Sequence, residues 1–154
     1  MRIVLQKVKS ASVKANDQVS EIGPGLLLLV GIRNNDIIEN ADYLVRKCLS
    51  LRLWSDETES SIPWKLNVKD KEYEILVVSQ FTLYGTIKSG SKPDFHYAMN
   101  GKDASVIFDM VVNKFKTSYK SEKIKTGFFG RQMDISLVND GPVTLILDNE
   151  TKVS

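Results

Sequence analysis

The chain has one cysteine and one histidine, and their scarcity removes whole classes of chemistry. Cys48 has no partner for an internal disulfide. With His96 far from it in sequence, the two do not make the Cys/His ligand set of a zinc site. No apolar stretch approaches the roughly 18 residues that a membrane-spanning helix needs. The longest, residues 25–32, has the length of a strand. The start, Met1-Arg2-Ile3-Val4, lacks the basic, apolar and small-residue layout of a signal peptide, so a cytoplasmic location is expected. There is no Gly-x-Ser-x-Gly elbow, and His96 is the only base that a Ser/His/Asp triad could recruit. A net charge of +2 is too small to argue for nucleic-acid binding by itself.

What is present describes one folded unit. At 154 residues, with 42% hydrophobic, the chain is long enough and apolar enough to build a core without staples. We read residues 1–154 as a single domain with a frayed polar tail at 149–154. Strands are expected at 2–8, at 13–15 and 18–22 around an Asn16-Asp17 turn, at 26–32, 51–54 and 73–79, and at 132–138 and 143–148. Residues 26–32 are apolar on both faces, the mark of a central, doubly covered strand.

Two amphipathic helices interrupt this pattern. Ile37, Ile38, Ala41, Leu44, Val45, Cys48 and Leu49 share one face, with Asp36 as the expected N-cap and Glu39 completing a capping-box pattern. Ala104, Ile107, Phe108, Val111, Phe115 and Tyr119 share another, with Asp103 as the expected cap. Cys48 lies on the apolar face, where an inert thiol is expected. Residues 55–63 and 86–100 read as loops, and loops of that length are often functional. The predicted class is α+β: mostly antiparallel sheets that can close into a barrel, with about two covering helices.

Two polar segments sit at strand ends. Ser79-Gln80-Phe81-Thr82-Leu83-Tyr84 follows Ile75-Leu76-Val77-Val78. Asn139-Asp140-Gly141-Pro142-Val143-Thr144 follows Ile135-Ser136-Leu137-Val138. Strands that deliver polar turns to fixed places suit a binding site. Each has a plainer reading: Ser79 and Thr82 bonding the local backbone, Phe81 in the core, Gly141-Pro142 as an ordinary turn. Lys114, Lys116, Lys120, Lys123, Lys125 and Arg131 form either a solvated face or a set of phosphate contacts. Trp64 either packs over the barrel edge or stacks on a base.

SQFTLYG at mid-chain with VNDGPVT near the end resembles the D-aminoacyl-tRNA deacylase family. MRIVLQKVKSASV, EIGPGLLLLVGI, GSKPDF and FFGRQMDISLVNDGPVT extend the resemblance, in order and spacing, over nearly the whole chain. The resemblance implies a homodimer that hydrolyses the ester of D-aminoacyl-tRNA at its 3′ end, without metal or other cofactor. It implies catalysis around Ser79, Gln80, Phe81 and Thr82, through backbone N–H groups and the neighbouring ribose hydroxyl. An alternative makes Thr82 a nucleophile, although no adjacent base is visible.

Chiral selection is implied at Gly141-Pro142, in cis, supplied by the partner subunit. Glycyl-tRNA, which has no side chain to exclude, should be accepted to some degree. Phe129 and Met133 would line the pocket, and Ala104 would border the adenine; core packing is the plainer role for Phe129 and Met133. The chain departs from the family pattern at Lys7, where Arg is expected after Gln6, at Arg131, where a small residue is common, and in an expanded loop at 56–63. Two readings compete with the deacylase: a tRNA-handling module without catalysis, and a structural β-rich dimer.

Overall fold

A computed structural model describes residues 1–149, so the expected frayed tail lies outside the described residues from 150 onward. The elements are β1 (Arg2–Ala15), β2 (Gln18–Ile22), β3 (Gly25–Gly31), α1 (Asn40–Ser50), β4 (Glu74–Ser79), α2 (Gly101–Ser118), β5 (Ile124–Thr126) and β6 (Asp134–Asp148), with a 3-10 turn at Phe81–Tyr84. The fold is α+β, with a curled sheet nearly closed into a barrel.

The sheet is mixed. β1 pairs antiparallel with β2, β3 and β6, whereas β3–β4 and β4–β5 are parallel. Parallel neighbours need long crossovers, and the two helices supply them: α1 between β3 and β4, α2 between β4 and β5.

One expected pair of strands, 2–8 and 13–15, is a single strand, β1. Its pairing with β6 shifts register between Gln6 and Val8 and again between Val8 and Ser10. The first shift places extra residues in β6, while β1 stays in unbroken register with β3 from Arg2 to Val8. Alternation therefore sends Ile3 and Leu5 into one core with the helices and Val8 into a second. The later shift, two residues of β1 against one of β6, is a bulge that keeps Ala11 and Val13 on the face of Val8. β3 shows why its sequence is apolar on both faces. Leu26, Leu28 and Val30 pack under the helices, and Leu27 packs into the second core with Leu76 and Val78. Residues 132–148, expected as two strands, contain one, β6, which begins at Asp134.

Residues 51–54 are not a strand; only an isolated bridge joins Trp54 to Leu66. Asp36 does not cap α1. It is 7% exposed, and it accepts the Arg33 N–H at 2.6 Å and pairs with the Met1 nitrogen at 2.6 Å. Glu39 occupies the N-cap with no side-chain bond. At α2 the cap is Asn100 rather than Asp103: the Asn100 side chain accepts the Asp103 N–H at 3.1 Å and donates to the Asp103 carboxylate at 2.7 Å. Trp64 is 59% exposed, so it does not pack over the barrel edge. No described helix is long and apolar enough to cross a membrane.

Candidate active site

The first motif turns where β4 ends. The Gln80 N–H donates to the Val30 carbonyl at 2.8 Å, and the chain then winds into the 3-10 turn, closed by the Gly85 N–H on the Thr82 carbonyl at 2.9 Å. The turn lies directly over the end of β3. A Cβ added to Gly31 would stand 2.9 Å from Leu83 Cβ and 3.1 Å from the Gln80 carbonyl, so only glycine allows this approach. Arg2 pins the other side, with Nη1 donating to the Leu83 carbonyl at 2.9 Å. The first N–H groups of such a turn have no acceptor within it, so those of Phe81 and Thr82 are intrinsically available.

A cavity of about 540 Å³ opens beside the turn. Ser79, Gln80 and Phe81 line one side. Ala104 comes from α2, and Phe129 and Met133 come from the segment before β6. Six of the nine sequence-predicted site residues are thus brought together. Phe81 is 57% exposed and meets Phe95 edge-to-face at 5.1 Å, which removes the core reading for it. Phe129 packs on Phe108 at 5.5 Å, and the Met133 sulfur accepts the Phe128 N–H at 3.2 Å. These two residues therefore line the cavity and pack against the core.

Thr82 does not line the cavity; its Oγ1 accepts a hydrogen bond from Gln80 Nε2, an amide that cannot act as a base. Sequence reasoning missed Ile32, Met99, Gln132 and Ile135. Ile135 shared its alternation with core positions, and Met99 sits in the long loop, where no periodicity marks it.

Among the described residues, Arg131 is the only ionisable side chain lining the cavity. It bonds Gln18 and lies over Phe128. The other candidate nucleophile and base lie elsewhere. Cys48 is fully buried, and burial pushes its thiol up to about 12. His96 pairs through Nδ1 with Asp94 on the exposed loop, and its bond holds the Asp94 carboxyl below the usual carboxylate range. Among the described residues, no group of three or more His, Cys, Asp or Glu is placed to hold a metal. The arrangement can hold a carbonyl, offer backbone donors to it and shape an apolar pocket around a planar ligand.

The second motif lies in β6. The Gly141–Pro142 bond is cis, and it does not line the cavity of its own chain. The turn falls between the pairs Gln6–Thr144 and Val8–Asn139, opposite Lys7. Lys7 reaches Asp140 at 3.6 Å and lies over the Trp54 ring. Here lysine braces a side chain, as a point charge, without the forked grip on carbonyls that Arg would offer. Among the described residues β6 pairs only with β1, and along it Val138 and Ile146 are 52% and 71% exposed.

The chain matches the family described as D-Tyr-tRNA(Tyr) deacylase over residues 4–148. It is 43% identical to a D-aminoacyl-tRNA deacylase of Plasmodium falciparum (isolate 3D7), covering 96% of this chain and 95% of that protein. It is 47% identical to a D-aminoacyl-tRNA deacylase of Drosophila melanogaster, covering 97% and 92%. Its fold is similar to a solved structure described as the c-Myc DNA unwinding element binding protein, with a TM-score of 0.89, 42% identity, and coverage of 96% of this chain and 98% of that one.

Proposed function

The chain belongs to the D-Tyr-tRNA(Tyr) deacylase family, and from that premise we propose that it hydrolyses the ester of D-aminoacyl-tRNA, releasing tRNA and the free D-amino acid. The observation that carries this reading is a cavity that gathers Ser79, Gln80 and Phe81 and to which the described residues bring no side chain able to act as a base. An aminoacyl ester is already activated. It needs a held carbonyl, donors for the oxyanion and an oriented water rather than a strong nucleophile. The backbone N–H groups at residues 80–82 serve as the donors, and the ribose hydroxyl next to the ester helps activate the water. One oxyanion donor of this kind is worth roughly a hundredfold or more in rate.

Handedness is read by the main chain. Carbonyls of the Gly141–Pro142 turn hold the amino group of the substrate and leave no room for an L side chain. The turn that faces each cavity comes from the partner of a homodimer. An edge of β6 without a strand partner among the described residues, and its exposed apolar residues, support such an association. Because glycine carries no side chain, glycyl-tRNA is a substrate too. Aminoacylated tRNA as substrate also supports the cytoplasm as the place of action.

Incubation with D-tyrosyl-tRNA and L-tyrosyl-tRNA tests the reading. Selective loss of the D-ester is expected. Binding of both without turnover would instead make the protein a tRNA-handling module, and neither binding nor turnover would leave a structural dimer.

A further inference from the structure

A second cavity, of about 160 Å³, lies at the other end of the 3-10 turn, lined by Arg2, Arg33, Tyr84, Gly85, Thr86 and Tyr97. Two buried hydroxyls stand there, Tyr84 Oη and Thr86 Oγ1, with no hydrogen-bond partner among the described residues. Tyr84 is only 6% exposed. Buried hydroxyls are normally satisfied, and two unsatisfied ones beside the same cavity ask for a ligand with acceptors.

The charges nearby favour an anion. Arg2 lies 5.0 Å over the Tyr84 ring, and Arg33 and Lys88 lie 5.4 and 5.5 Å over the Tyr97 ring. Arg2 spends Nε on Asp148 and one bond of Nη1 on the Leu83 carbonyl, and a guanidinium has five N–H donors. The two carboxylates that act on Tyr84, Asp36 and Asp148, are matched by the Met1 nitrogen and Arg2. Burial, followed by those carboxylates, holds the Tyr84 phenol above its ordinary range, so it stays a neutral donor.

We propose that this cavity is a phosphate subsite for the 5′-phosphate of the substrate's terminal adenosine, an inference that rests on the deacylase reading of the adjoining site. The 3-10 turn connects the two places: Gln80 and Phe81 face the larger cavity, and Tyr84 lines the smaller one. Four residues of 3-10 helix span about 6–8 Å, within the reach of one nucleotide. Guanidinium groups and hydroxyl donors suit a phosphate, and such a contact fixes register without reading a base.

Calorimetric titration of the full chain with adenosine 5′-monophosphate, adenosine and inorganic phosphate reads the subsite without turnover. The monophosphate should bind roughly tenfold more tightly than adenosine. The paired substitutions Tyr84→Phe and Thr86→Val should erase that preference and leave adenosine affinity unchanged. If the double variant also loses adenosine binding, Thr86→Val alone should still lower the preference. Equal binding of the two ligands by the unaltered chain, or a preference that survives in the variants, overturns the proposal. Inorganic phosphate binding as tightly as the monophosphate also overturns it, and assigns the cavity to free phosphate. Failure of the deacylase reading is seen separately, as no cleavage of D-tyrosyl-adenosine or D-tyrosyl-tRNA. Failure of the subsite alone leaves that cleavage intact.

Discussion

Asn139 brackets the Gly141–Pro142 turn: its Oδ1 accepts the Val143 N–H at 2.8 Å, and its Nδ2 donates to the Val143 carbonyl at 3.1 Å. One side chain thus satisfies both main-chain groups of a residue that no neighbouring strand pairs in the register of β6 with β1. Asn139→Ala leaves those groups without their partners. It should destabilise the fold by about 1–3 kcal/mol, read as a lower urea midpoint, and should narrow the ratio of D- to L-tyrosyl-tRNA hydrolysis.

Gly141 leaves no space for a side chain. An added Cβ would stand 2.5 Å from the Val143 nitrogen and 2.6 Å from its Cγ2. Gly141→Ala must shift the turn, and misplacement of a positioning group by an ångström costs on the order of a hundredfold in rate. Hydrolysis of D-tyrosyl-tRNA by this variant should fall by at least about tenfold. Its far-ultraviolet dichroism should be unchanged, because the displacement is confined to the turn.

Thr82 sits beside an amide and outside the cavity lining. Thr82→Ala should keep kcat/KM within roughly threefold of the unaltered chain, as expected of a residue that contributes its backbone. A loss of about a thousandfold with folding and tRNA affinity intact would make Thr82 the nucleophile.

Cys48 should be silent. Its thiol, pushed up to about 12 by burial, has the thiolate fraction of about one in ten thousand at pH 8. The thiolate is the reactive form, so alkylation by iodoacetamide should be negligible in the folded protein and complete after denaturation in urea. Fast alkylation of the native chain would contradict the packing of α1.

The periodicity of the helices and of β3 was legible because each follows directly from what it packs against. β1 was harder. Its buried positions pass from Ile3 and Leu5 on one face to Val8 on the other, and a bulge between Val8 and Ser10 then puts Ala11 on the face of Val8, which breaks the alternation that marks a single strand. β5 is three residues long and carries too little pattern to find. Residues 51–54 have a strand's composition, but that stretch forms only the Trp54–Leu66 bridge. The caps failed for a different reason: Asp36 is drawn away from α1 by the Arg33 N–H and the Met1 nitrogen, contacts that local spacing cannot reveal. At the site, motif residues next to one another in sequence were found. Ile32 and Met99, brought from separate segments, became visible only in three dimensions.

The account turns on an L side chain being excluded by main-chain atoms, and the smallest probe of that is a single methyl group. Hydrolysis of glycyl-tRNA and L-alanyl-tRNA should be measured side by side at equal enzyme concentration. Release of glycine with L-alanyl-tRNA left intact is the expected result; cleavage of both at comparable rates would contradict it.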